Sequence, residues 1–273
     1  MTEKFTYMDF LMYVLPGGLS LVLCINAYWL VSPTGASQLP LLGTAGLFAS
    51  VVFILLCFVA GNLVQTIAHA GPEQLHRFVF WNGHWPSDLV LLEGSFRTGL
   101  SKKTVLHALR AAKLIDDDLE GALTAKAVSS KYTRRWYIDG DAAPAVRAAA
   151  IVFGRTRSLL ADAGVGTRAN VAEAYYQLFR GMYTVGLVGA PCFLVLWIDA
   201  SWKAKIGLST AGVDAALPSA LFCTLLLVAF SWRARGAGAN FAKEVYVAAT
   251  TAEVAKSLAA AASIASNNPT NQG

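Results

Sequence analysis

The chain has 273 residues, a net charge of +5 and 55% hydrophobic residues, yet only 14% are charged, against about 25% in an ordinary soluble domain. That deficit excludes a conventional water-soluble fold. The basic excess is of the kind loops retained in the cytoplasm carry and comes with no aromatic-basic recognition motif, so no nucleic acid partner is predicted. Cys24, Cys57, Cys192 and Cys223 fall one to each apolar run without a C-x-x-C pair, which excludes a disulfide framework and reads as small apolar packing residues.

From the N-terminus, no Asp, Glu, Lys or Arg occurs between Asp9 and Glu73, and a stretch that long suits lipid as its solvent. Two membrane spans fit inside it, residues 10–31 and 41 to about 66, divided by the Pro and Gly of "SPTGASQLP". The first lacks a signal-peptide pattern and is expected to be a retained anchor. Pro16, Gly17 and Gly18 mark it for a kink or local unwinding, a candidate hinge.

The second span ends in "GNLVQTIAHAG". At 100° per residue Asn62, Gln65, Thr66 and His69 share one face, which predicts a polar membrane stripe facing protein or water rather than lipid. In a hairpin turning near Gly35, Asp9 reaches the same depth and joins that candidate site. Interhelical hydrogen bonding, a hydrated lining and a proton-responsive cluster titrating through His69 are the readings it leaves open.

Gly71 and Pro72 end that helix and start another. The aromatic stretch "FWNGHWPSDLVLLEGSF" is expected to pack on the membrane face or the domain core, with an elbow at the membrane surface preferred. "SKKTVLHALRAAKL" reads as an amphipathic helix capped by Ser101, "DDDLEGALTAKAV" as one behind acidic caps, and "DGDAAPAVRAAAIVFGRTRSLLADAG" as a third. The acids of "DDDLEG" imitate a calcium loop only as far as its sixth position, since Ala127 stands where a bidentate Glu is required. His69, Glu73, His76 and His84 crowd into sixteen residues, but the Gly71–Pro72 break keeps His69 and His76 off a common face, so no metal site and no cofactor are predicted.

A helix starting near Thr167 is expected to continue into a third span, 181–198, with Pro191 as a second candidate hinge. A fourth span covers 215–232, after which "RARGAGAN" is expected to loosen the chain before a C-terminal helix to residue 264 and a disordered tail, 265–273. Small-x-x-x-small pairs at Ala45/Ala49, Gly186/Ala190 and Ala220/Thr224 permit close helix approach.

The segment between the second and third spans holds 15 of the 22 basic residues, and the connector 32–40 holds none, which predicts that both termini and the middle segment are cytoplasmic. The expected fold is therefore all-α: a polytopic membrane protein with four transmembrane helices in two hairpins (1–69 and 181–232) and a cytoplasmic helical domain (70–180). No nucleophile elbow or phosphate loop is present, so no catalytic residue is assigned.

The order "YMDFLMYVLPGG", "AGNLVQ", "FWNGHWPS", "YYQLFRGM" resembles uncharacterised bacterial inner-membrane proteins with four spans and a cytoplasmic helical insert. Some proteins of comparable layout serve anti-phage defence, where a cytoplasmic part senses and the membrane part perturbs the bilayer. The polar stripe, the small-residue pairs and the absence of catalytic motifs lead us to expect a non-enzymatic protein of the bacterial inner membrane that forms a homo-oligomer or joins a membrane-protein partner. Its cytoplasmic domain would bind a protein or a small-molecule signal, and its spans would form a channel-like or membrane-perturbing unit in the lipid bilayer. The alternatives are a membrane-bound enzyme using Asp9, His69 and His76 near the cytoplasmic interface, and a plain scaffold.

Overall fold

The structure is a computed structural model that describes residues 7–31, 47–81, 85–93, 101–124, 143–162, 167–206 and 213–266. The first connector, Leu41, His84, the "DGD" turn and the tail from 267 onward lie outside the described residues. Among the described residues there are nine α-helices and no strand: α1 (Tyr7–Val31), α2 (Leu47–Ala70), α3 (Pro72–Trp81), α4 (Pro86–Glu93), α5 (Lys102–Ala111), α6 (Asp117–Thr124), α7 (Ala143–Asp162), α8 (Thr167–Lys205) and α9 (Val213–Ser266).

Four of these helices are long and apolar enough to cross a membrane, through Phe10–Val31, Ser50–Ala70, Thr167–Lys203 and Ala215–Thr251. The last two segments have 37 residues each, roughly 55 Å of helix, which exceeds a hydrocarbon core of about 30 Å. Only part of each can lie in lipid. The chain divides accordingly into two compact units, one formed by residues 1–76 and 174–237, the other by 77–173 and 238–273.

α8 runs from Thr167 into the third span without a break, as the sequence predicts. α9 departs from expectation. It passes helically through "RARGAGAN" to Ser266, so the fourth span and the C-terminal helix are one element. A glycine in a helix costs only about 1 kcal/mol, and here Ala234 and Ala242, both 1% exposed, are packed on either side of the Gly-rich stretch.

In the first unit the helices meet through missing side chains. A Cβ built on Gly17 would fall on the Cys57 carbonyl of α2, and one on Gly61 would fall on the Tyr13 carbonyl of α1. Between α8 and α9, a Cβ on Gly186 would lie 2.5 Å from the Leu227 nitrogen and 2.8 Å from the Cys223 oxygen. Lipid tails are as apolar as leucine, so close backbone approach and hydrogen bonds, rather than apolar burial, hold such helices together.

The second unit is built in the ordinary way around Val90, Leu91, Val105, Leu109, Leu123, Val152 and Tyr246. α4 belongs to this core: Leu89, Val90, Leu91 and Leu92 are all buried. Of the two sequence readings of this stretch, membrane face or domain core, the core accounts for Val90, Leu91 and Leu92, which pack in the unit's own apolar cluster. Pro86 starts α4 and Asp88, two residues on, accepts a bond from the Trp85 N–H at 3.3 Å, half of a capping box. Ser101 precedes α5 in extended conformation but makes no side-chain cap bond. Asp116 does cap α6, accepting the Leu119 N–H at 2.9 Å, and that bond, with Arg155 beside it, holds its carboxyl below the usual range.

Candidate functional site

The first unit carries a buried polar cluster where α2 gives way to α3. Gly71 separates the two helices by one residue, and Pro72 opens the second. The break turns α3 so that Glu73 and His76 are 3% and 4% exposed. Two turns before Glu73, Gln65 is also buried. These three side chains from one continuous stretch reach α1, α8 and α9.

Gln65 has a specific task. Proline has no N–H, so Pro16 leaves the carbonyl four residues before it, that of Met12, without its helical donor. Gln65 Nε2 donates to this oxygen at 3.1 Å and to the Gln177 carbonyl of α8 at 2.9 Å. Gly181 leaves the room: a Cβ there would lie 2.8 Å from Gln65 Nε2 and 2.9 Å from Pro16 Cγ. Three helices thus meet at one amide.

The amide oxygen of Gln65 accepts from Arg180 Nη2 at 3.0 Å, while Arg180 Nη1 donates to Glu73 Oε2 at 2.8 Å. The Glu73 and Arg180 side chains are 4% and 14% exposed, a buried pair that is tolerable only if the remaining polar atoms are also bonded. Tyr176 donates to Glu73 Oε1 at 2.9 Å, and His69 Nδ1, on a side chain 73% exposed, bonds Oε2 at 2.8 Å. Arg180 Nε alone in this group is buried without a partner among the described residues. The guanidinium also lies 5.8 Å from the Tyr176 ring centre.

His76 extends the cluster to α9. Its Nε2 lies 3.0 Å from the Ser231 carbonyl and its ring meets Tyr183 edge-on at 5.3 Å. Burial pushes its pKa down, against the raising effects of the Ser231 carbonyl and Glu73, with Arg235 adding to the fall. The neutral ring donates Nε2–H to Ser231.

The chain matches no family model, no curated protein and no solved structure.

The sequence-predicted stripe divides. Gln65 enters the cluster and His69 touches it from outside, whereas Asn62 and Thr66 are exposed and bond carbonyls of their own helix, Phe58 and Asn62, at 2.9 Å each. The Asp9 side chain lies outside the described residues. α1 and α8 continue helically through Pro16 and Pro191. At Pro16 the helix is supported by Gln65, which supplies the bond the ring removes, and by Gly17 pressed against α2. Among the described residues no group of three His, Cys, Asp or Glu could hold a metal ion.

Tyr176 and Arg180 were not legible as site residues. Arg180 reads in the sequence as the charge that ends a span, and only its place one turn after Tyr176, on the helix facing Glu73, reveals its partner. A further pair, Asn26 Nδ2 to Ser219 Oγ at 2.8 Å, joins α1 to α9 near the other end of the spans. Chemically, Glu73 has both oxygens engaged by three donors. Such a carboxylate acts as a fastening between helices and is poorly disposed to abstract a proton.

Proposed function

We propose that this chain is a non-enzymatic, multi-pass protein of a bacterial inner membrane, with both termini and the second unit in the cytoplasm. The second unit binds a protein or small-molecule signal, and the spans assemble into a channel-like or membrane-perturbing unit. The observation that carries this reading is that α8 and α9 each contribute to both units. α8 places Ala169 and Ala172 in buried positions of the second unit before becoming a span, and α9 leaves the first unit to bury Val245 and Tyr246 in the second. A binding event in the second unit therefore acts on helices that are themselves half of the membrane bundle.

The test is membrane potential, read with a voltage-sensitive dye in bacteria that produce the full chain from an inducible promoter. Depolarisation that follows induction, and that is altered by Arg180→Met at equal membrane abundance, is expected. An unchanged potential at membrane levels verified by immunoblot would overturn the membrane-perturbing reading.

A further inference from the structure

The outer face of α2 carries a row of residues of which the cluster engages only His69. Val52, Leu55, Val59, Asn62, Thr66 and His69 follow one another at spacings of three and four residues, and all six are exposed. That spacing sets the six on one face of the helix, with the polar residues at the end nearer α3. No described helix of this chain covers it.

Asn62 identifies the occupant. It lies eight residues from the end of the Ser50–Ala70 segment, about 12 Å of helix, at a depth where lipid offers its amide no partner. One N–H is spent on the Phe58 carbonyl; the amide oxygen and the second N–H have no partner among the described residues. An amide is both donor and acceptor, so its own copy is complementary to it. Copies of one chain insert with the same topology, and a two-fold axis along the membrane normal sets α2 beside α2 in parallel, residue against identical residue. At such a seam Asn62 meets Asn62 at equal depth. A single Asn in an apolar repeat is also the residue that fixes register and stoichiometry in paired helices.

We infer that α2 is the face through which two copies of this chain associate in the membrane, with Asn62 bonded reciprocally across the two-fold axis. This rests on the assembly stated under Proposed function and names its surface.

Single cysteines would be placed at positions 55, 59, 62 and 66, and at the equally lipid-facing positions 53, 56 and 67, in a full-length background with the four native cysteines replaced. Oxidative crosslinking in native membranes should give dimers at the first set and few at the second. In an unlinked background, Asn62→Val should lower the dimer fraction in mild detergent by an association constant change of about three- to tenfold, and Asn62→Gln should restore most of it. Asn62 is exposed, so neither variant disturbs the fold. Dimers that crosslink best at 53, 56 and 67, or equally everywhere, would overturn the α2 seam while leaving assembly intact. A chain that crosslinks nowhere and stays monomeric would overturn both the seam and the assembly.

Discussion

The two units solve the packing problem in opposite ways. The second has an apolar interior of Leu, Val and Ala, because water outside makes burial of apolar surface the main source of stability, about 25 cal/mol for each Å². The first exposes Leu55, Val59, Leu225 and Val228 and keeps Gly17, Gly61, Gly186 and the Glu73–Arg180 pair inside. Where the solvent is lipid, apolar surface gains nothing by burial, and cohesion falls to backbone proximity and polar bonds. Exposed large apolar side chains thus concentrate in the first unit, although it too buries Leu23, Val185 and Phe193.

That contrast can be broken at its strongest point in the first unit. Gly61→Leu would drive a side chain into the Tyr13 carbonyl; with backbone on both sides nothing can yield, and the α1–α2 pair should separate. The expected outcome is loss of folded protein, read by proteolysis of membranes and by size-exclusion profiles in detergent.

Arg180→Met comes next. It leaves the Glu73 carboxylate buried without its cation, which should cost about 3–5 kcal/mol. The double variant with Glu73→Gln should recover much of that loss, since the uncompensated charge is gone. A thermal melt in detergent separates the two; equal losses in single and double variants would mean the pair contributes little beyond its shape.

In the second unit the parallel experiment is Leu109→Ala. Leu109 is fully buried, and truncation should cost about 2–5 kcal/mol, with hydrogen exchange rising in residues 77–173 and little changed near Gln65. A uniform rise in both units would show that they unfold together.

The smallest effect concerns protons, and the two units respond with opposite signs. Asp88 is 2% exposed, and burial raises its pKa to about 6 despite bonds from the Trp85 N–H and Ser87 hydroxyl and the charge of Arg77. Its folded pKa lies above its unfolded one, so its favourable contribution is complete below about pH 4 and lost as pH rises through about 6. Asp88→Asn should therefore stabilise the second unit at pH 7 by about 1–2 kcal/mol and flatten its profile between those limits. His76 acts the other way: its folded pKa is below the unfolded value of 6.5, so its contribution is full above that pH and is lost as pH falls through the folded pKa. Acidification from neutrality should loosen the first unit while Asp88 favours the second, read by exchange rates in each.

Much of the fold is legible in the sequence because lipid imposes a coarse rule. Long charge-free runs revealed four candidate spans, and the uninterrupted helical pattern from Thr167 revealed the continuity of α8. The continuity of α9 was not legible, since Gly236 and Gly238 weaken local helix preference and only burial of Ala234 and Ala242 restores it. Nor was the placement of α4, whose apolar run reads alike for a core and a membrane surface. At the candidate site, periodicity put Gln65 and His69 on one face with Asn62 and Thr66, but the boundary between buried and exposed runs through that face. Angles alone cannot locate such a boundary. Its position depends on α8, more than a hundred residues away.

Pro16, Gln65 and Gly181 have a consequence for descent. The proline removes a donor, the amide replaces it, and the glycine makes space for the amide. Restoring an N–H at position 16 leaves the glutamine only its bonds to Gln177 and Arg180, enlarging position 181 expels it, and shortening it orphans the Met12 oxygen. No one of the three can drift neutrally while the others stay. Across lineages these positions, scattered over three helices, should be inherited or exchanged as a set, so that divergent relatives keep all three or have replaced all three.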